Sequence, residues 1–367
     1  MTYIIINFIA TFFIYLYHVY RDSKCNYYIT GGMFIFFVFL LPAFQYNVGT
    51  DYESYKNIYE NADVLDVFFD HNNEFLFYYY VKLCQLLGAD YYGFIILTSL
   101  IQAIIIFNIL VYLERKYYYS IVVVFFLFWT MTNMLHTQMN IIRASFAIYL
   151  FIFSVLLKCK ENTKLSLLMV ILAIGFHRSA FICLPFILIP VVFYRFAYKK
   201  ILLTYFITII LFSTPILYVL MVFIVHSFLP YYEHYMISYE SSMVSGINIL
   251  TKLYWLPINL VFIYLIKNKL LLLGKDESTL VGFWVFTCNI FILMLHFDFI
   301  SRVNFYFVFF YIIPIYYVFE YFRINTRFNY ISRLICLVTI FLYCIIPYLL
   351  KVVLFPIAEF DYNTYLF

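Results

Sequence analysis

The chain has 367 residues, of which 66% are hydrophobic and 11% charged, with a formal net charge of +4. Its mean hydropathy is +0.93, which excludes a soluble globular protein. Repeated apolar stretches near or above 18 residues, apolar on every side, point to many transmembrane helices and away from a strand barrel, whose residues would alternate. The small net charge says little about partners, because topology separates the charges, and nothing points to a nucleic acid. The seven cysteines are scattered without a C-x-x-C pair, so neither a metal site nor a disulfide framework is expected, and no cofactor is called for.

In chain order the apolar runs lie at about 2–20, 28–44, 91–113, 117–131, 141–157, 165–176, 180–194, 201–228, 248–266, 279–295, 303–322 and 334–355. They predict an all-α polytopic membrane protein of about twelve spans, within a range of 10–13. The first run lacks a basic start and a small-residue cleavage site, so it reads as a retained helix. The gaps after alternate runs carry Arg21 and Lys24, Arg115 and Lys116, Lys158, Lys160 and Lys164, Arg195, Lys199 and Lys200, Lys267, Lys269 and Lys275, and Arg323, Arg327 and Arg333. These are most of the chain's 23 Lys and Arg, and the positive-inside rule puts them in the cytoplasm, with both termini outside. Pro185 and Pro190 make the stretch 160–195 the weakest part of this threading. Reading it as one span would invert everything that follows and break the charge alternation, so two spans are expected.

The chain reads as a single integral membrane domain, 1–367, without repeats or a soluble module. Its largest outer segment, 45–90, carries Asp51, Glu53, Glu60, Asp63, Asp66, Asp70 and Glu74, and its residues 75–88 are too short to span, so it is expected to hold amphipathic and re-entrant or interfacial helices. A second outer loop, 229–247, holds Glu233, His234 and Glu240. The acids Glu60, Asp63, Asp66 and Asp70 read as a solvated face.

An ionisable group inside a membrane helix costs at least about 2.5–3.5 kcal/mol and marks a function or a paired structural role. Arg143 lies just inside the fifth run, His177 and Arg178 at the turn between the sixth and seventh, and His296, Asp298 and Arg302 between the tenth and eleventh. Asp51 follows the second run and Glu74 opens the short segment after it. All fall at the same depth on the outer side, predicting an outward-facing polar cavity lined by three arginines. Structural readings remain for several of them: His177-Arg178 as an interfacial helix cap, Arg302 paired to Asp298, His296 as an interfacial residue. His18, His136 and His226 carry little weight. Guanidinium groups bind phosphate oxygens bidentately and stay charged, so three of them suit a pyrophosphate without a divalent ion. A carboxylate or imidazole could then take a proton from an acceptor hydroxyl.

The segment FQYNVGTDYESY (44–55) resembles the first outer-loop signature of the EpsG family of Wzy-like polysaccharide polymerases. NIIRASFA (140–147) resembles that family's Ile-Arg helix, IGFHRSAFICLP (174–185) its His-x-Ser-Ala turn, and SRVNFYF (301–307) its late Arg-containing helix start, all in the family's order. The family commonly has Arg just before the GTDY signature; here Gln45 replaces it, which removes one positive charge. The resemblance implies a GT-C-like, metal-independent membrane glycosyltransferase that polymerises undecaprenyl-pyrophosphate-linked oligosaccharide repeat units of O-antigen, lipopolysaccharide, capsule or exopolysaccharide. It would work at the outer face of the bacterial inner membrane, in the lipid bilayer, with a chain-length regulator as a possible partner. By residue it implies Arg143, Arg178 and Arg302 for the pyrophosphate. It implies Asp51, Glu74 or His177 as the base, with Asp51 slightly ahead because it lies in the motif loop. Gln45, Gly49, Thr50, Tyr52, Tyr55, His296 and Asp298 would shape and support the site. The alternatives are a flippase for lipid-linked oligosaccharide, disfavoured by one-sided charge and absent repeats, and an O-antigen ligase or membrane acyltransferase. A ligase would carry its large outer loop late in the chain, and an acyltransferase would place His and Arg toward the cytoplasm.

Overall fold

A computed structural model describes residues 2–195, 198–214, 216–228, 254–293, 301–354, 356 and 358–364. The second outer loop at 229–247 and the residues His296 and Asp298 lie outside this set. The described residues are almost entirely helical, and their one strand-like pairing is an isolated bridge between Gln45 and Thr364.

Among them, six helices are long and apolar enough to cross a bilayer: Thr2–Val19, Lys24–Ala43, Tyr91–Tyr117, Ile142–Cys159, Val303–Ile324 and Tyr330–Leu354. A seventh arises if Ile121–Met131 and Met134–Asn140, bent by 51° at their junction, count as one broken span. The chain is therefore an all-α, multi-pass membrane protein. Backbone polar groups have no water to bond to in hydrocarbon, which is why the apolar runs resolve into helices.

We label the helices of the first part α1 (Thr2–Val19), α2 (Lys24–Ala43), α3 (Tyr52–Glu60), α4 (Ala62–Asn72), α5 (Phe75–Leu86), α6 (Tyr91–Tyr117), α7 (Ile121–Met131), α8 (Met134–Asn140), α9 (Ile142–Cys159), α10 (Thr163–Phe176) and α11 (Leu184–Leu188). Two compact units are distinguished: Met1–Ile189 with Thr326–Phe367, and Pro190–Asn325. Polar punctuation sets the element ends in the first unit. Asp90 caps α6 by accepting from the Gly93 amide at 2.8 Å. Asn73 closes α4 and Asn133 separates α7 from α8, each at φ 56° in the left-handed region that Asn tolerates. The expected seventh run is not one helix. After His177 the chain forms a 3₁₀ turn (Arg178–Cys183), the short α11 with Pro185 in its first turn, and a second 3₁₀ turn (Val191–Tyr194) after Pro190. Proline at a helix start is tolerated, but Pro190 ends the pairing.

In the first unit α1 packs on α2, α2 on α6, α6 on α9, and α9 on α10. Small polar residues let the α9–α10 pair close: the Ser154 hydroxyl donates to the Ser166 carbonyl at 2.7 Å, and the Ser166 hydroxyl to the Ser154 carbonyl at 2.8 Å. The buried Lys158 ammonium donates to the Ile187 carbonyl, anchoring the end of α11 to the same helix.

The segment between α2 and α6 builds its own small core. Tyr52, Tyr55 and Tyr59 recur at helical spacing on one face of α3 and bury against Leu65, Phe77, Val81, Cys84, Tyr91, Phe94 and Ile142. Three hydrogen bonds tie this core together. The Tyr59 hydroxyl donates to the Ala89 carbonyl at 2.6 Å, Gln85 donates to the Tyr59 carbonyl at 2.7 Å, and the Tyr91 hydroxyl donates to the Tyr52 carbonyl at 3.1 Å. The helices α3 to α5 are thus fastened to the start of α6 and α9.

In the second unit the helix Lys275–Leu293 passes so close to the turn at Tyr194 that a Cβ on Gly282 would overlap the Tyr194 carbonyl oxygen. Backbone cannot give way as a side-chain tip can. Gly282→Ala should therefore destabilise the detergent-solubilised protein by about 1–3 kcal/mol, read as a lower thermal unfolding midpoint; an unchanged midpoint would contradict this contact.

Candidate functional site

The site begins with the loop after α2. Val48 is buried, Gly49 has φ 82°, and the chain turns so that Thr50 and Asp51 meet the end of α8. There one side chain organises the turn. The Asn140 carbonyl Oδ1 accepts from the Thr50 amide at 2.8 Å, from the Asp51 amide at 3.1 Å and from the Thr50 hydroxyl at 3.2 Å. A Cβ on Gly49 would stand 2.5 Å from that same oxygen, so the close approach and the positive φ both demand glycine. Asn140 precedes Arg143 by three residues, which ties the loop to the start of the arginine helix. Asp51 is half-buried at the N-cap of α3, where its Oδ1 accepts from the Thr50 hydroxyl at 3.2 Å.

Glu74 stands at the centre. It precedes α5 and its side chain is 1% exposed. Three donors from two other elements converge on it. The Arg143 guanidinium, in the first turn of α9, donates to Oε2. His177 Nδ1 donates to Oε1 at 2.6 Å, and the Arg178 backbone amide donates to Oε1 at 3.1 Å. Because an ionised carboxylate only accepts, the proton on this bond sits on Nδ1 of His177, which leaves Nε2 as the ring nitrogen that Glu74 does not engage. Burial pushes the Glu74 carboxyl up. The His177 hydrogen bond, the charges of Arg143 and His177, and the Arg178 amide outweigh it and hold the carboxyl below its ordinary range.

Close packing brings these groups together. Gly175, one turn before Arg178, leaves room for α5: a Cβ there would lie 2.7 Å from Leu76 and 2.8 Å from Phe75. His177 caps α10 in an extended conformation, with φ −152° and ψ 117°, which turns its ring toward Glu74 while the side chain stays 24% exposed. Arg178 opens the 3₁₀ turn with its side chain exposed, and it makes no side-chain hydrogen bond among the described residues.

Arg143 is caged by rings from α3, α4 and α5. Its guanidinium carbon lies 4.4 Å from the centre of Phe68, 5.6 Å from Tyr55 and 5.7 Å from Phe77. The side chain is 19% exposed, and its buried Nε finds no acceptor among the described residues. Burial pushes the Tyr55 hydroxyl up, and the Arg143 charge beside it only partly counters this, so Tyr55 stays a neutral phenol; Asp51 is close enough to add to the rise.

Of the residues singled out in the sequence, Glu74, Arg143, His177 and Arg178 meet directly, and Gly49, Thr50, Asp51, Tyr52 and Tyr55 form the adjoining loop and helix. Gln45 is buried beside the Thr364 bridge, with its Oε1 unpartnered among the described residues. Arg302 lies in the helix Ser301–Phe307 of the second unit, and its side chain is outside the described set, as are His296 and Asp298. Sequence reading missed Asn140 and the cage residues Phe68 and Phe77. Asn140 opens the NIIR segment and carries the signal of a polar residue just before a membrane helix. The phenylalanines carry none among 46. Among the described residues no group of three or more His, Cys, Asp or Glu is placed to hold a metal ion.

The buried carboxylate, the caged arginine and the histidine–arginine turn thus meet in one cluster of a multi-pass helical membrane protein. The EpsG family model matches residues 28–366, so the chain belongs to the EpsG family, a Wzy-like polymerase family. No curated protein and no solved structure matches the chain.

Two outcomes follow. The Glu74 carboxyl is depressed in the folded state, so its contribution is complete above the ordinary carboxylate pKa of about 4.3 and is lost as the pH falls through the folded value. The unfolding midpoint in detergent should show an acid step below about pH 4 that Glu74→Gln removes; an identical acid step in the variant would assign it elsewhere. Gly49→Ala should cost about 2 kcal/mol through backbone strain and displacement of Asn140, measured by the same melts, and a melt like the parent's would refute the fit.

Proposed function

We propose that the chain polymerises undecaprenyl-pyrophosphate-linked oligosaccharide repeat units at the outer face of the bacterial inner membrane. It would act as a metal-independent glycosyltransferase of about twelve spans with a GT-C-like architecture. The observation that carries this reading is the Glu74 carboxylate accepting from Arg143, His177 and Arg178 at once. Membership of the EpsG family supports the substrate class.

In this reading His177 is the base. Glu74 has its lone pairs committed and is buried, so it orients the imidazole and does not take the proton itself. His177 Nε2 takes the proton of a hydroxyl on the non-reducing sugar of the incoming unit. The freed oxygen attacks the anomeric carbon of the growing chain, and the carbon–oxygen bond to pyrophosphate breaks with its electron pair on the phosphate. Arg178, exposed beside His177, and the exposed edge of Arg143 bind the departing pyrophosphate, and Arg302 keeps the same role by the family pattern. Asp51, on the loop tied to Arg143 through Asn140, aligns the acceptor. Proton transfer of this kind supplies about 10²–10⁴-fold in rate.

Surface polysaccharide from a strain lacking the gene, complemented with His177→Gln or Arg143→Lys, tests this. Both variants should leave the surface glycolipid capped by a single repeat unit and no ladder, because Gln cannot act as a base and Lys cannot hold both Glu74 and phosphate. A full ladder with His177→Gln would overturn the base assignment. Loss of even the single unit would point to ligation or flipping.

A further inference from the structure

The end of the first unit that the positive-inside rule assigns to the cytoplasm carries a groove that the proposed reaction does not use. Its cavity of about 460 Å³ is lined by Ile105, Asn108, Val111, Tyr112, Arg115 and Lys116 of α6, with Leu150 and Phe153 of α9 and Met169 of α10 closing the other side. The α6 residues recur at three- and four-residue spacing, so they form one stripe that ends in the two cations. Tyr112 and Phe153, both in the lining, meet edge to face at 5.4 Å. The walls are apolar, and the polar groups are Asn108 partway along the stripe and the cations at its end. Arg115 is fixed, because it donates to the Tyr27 hydroxyl and its guanidinium carbon lies 5.9 Å from that ring's centre. Lys116 is exposed and makes no ion pair among the described residues.

Depth identifies the occupant. With 27 residues, α6 is about 40 Å long, against about 30 Å of hydrocarbon. Its last turn therefore lies at headgroup level, while Ile105 to Tyr112 lie below it in the acyl region. The groove runs about 16 Å along α6 from Ile105 to Lys116. An apolar channel of that length, capped by two cations where phosphates sit, complements an amphiphile with an anionic head. On the positive-inside orientation that headgroup lies in the cytoplasmic leaflet.

We propose that this groove is a binding site for an anionic phospholipid, with one acyl chain along Val111, Leu150, Phe153 and Met169 and its phosphate on Arg115 and Lys116. The site bridges α6, α9 and α10, so an occupant would brace the helices that carry Arg143 and His177 at their far ends. It is independent of the chemistry proposed above.

Native mass spectrometry of the full chain in detergent, titrated with phosphatidylglycerol, phosphatidylcholine or inorganic phosphate, tests it. One phosphatidylglycerol should be retained in preference to phosphatidylcholine, and inorganic phosphate at matched concentration should not compete. The double variant Arg115→Gln/Lys116→Gln should bind phosphatidylglycerol about 30-fold more weakly, which is about 2 kcal/mol for two charges. Lys116→Gln alone should weaken it about fivefold, and it breaks no contact that Arg115 makes to Tyr27. The control Lys267→Gln/Lys269→Gln, equal in charge and exposed in the second unit, should bind like the parent. Equal retention of the two lipids, displacement by phosphate, or equal losses in both double variants would overturn the site.

Discussion

One carboxylate holds the candidate site together. Glu74 is removed from water, and a buried carboxylate is tolerable only when its charge is met and its lone pairs are filled. Both conditions are satisfied by groups drawn from elsewhere: a guanidinium from α9, an imidazole from the end of α10 and a backbone amide from the following turn. Three segments separated by up to about a hundred residues are thereby pinned to one point. The arrangement is costly to build, and that cost explains the features around it. Gly175 clears the way for α5, and the aromatic cage shields the Arg143–Glu74 pair from water.

The neighbouring loop depends on the same helix start. Asn140 gathers the Gly49–Thr50–Asp51 turn, and three residues later Arg143 reaches Glu74. A signature loop and an arginine helix far apart in sequence are therefore one mechanical unit. On the proposed reading its reactive surface is the Nε2 side of His177, the exposed Arg178 guanidinium and the Asp51 carboxylate. Division of labour between a buried organiser and exposed actors is the physical basis for reading His177, and not Glu74, as the base.

Much of this was legible in the chain itself. Apolar runs separated by basic and acidic gaps announced a multi-pass helical protein, because hydrocarbon admits only internally bonded backbone. Arg143, Glu74 and His177 stood out because ionisable groups next to apolar runs are expensive. Their mutual pairing was not legible, since nothing in the spacing says that the Glu74 segment folds back under α10. Nor was the role of Glu74 as the shared acceptor, which depends on burial. The stretch 180–194 reads as a span by composition, yet it folds as two 3₁₀ turns around the short α11, with Pro190 ending the pairing. Phe68 and Phe77 carry no signal in a chain this rich in aromatics, and their place around Arg143 comes only from the packing of α4 and α5.

The central claim is that Glu74 and Arg143 act as one coupled, buried pair. A double-mutant cycle of Glu74→Gln, Arg143→Met and the combined variant, followed by thermal unfolding of the purified protein in detergent, measures this directly. Each single change should leave a buried partner uncompensated and cost about 3 kcal/mol or more, while the double variant should recover much of the loss, giving a coupling energy of about 2 kcal/mol. Strictly additive losses would contradict the account, because they would mean that the two groups fold without reference to each other.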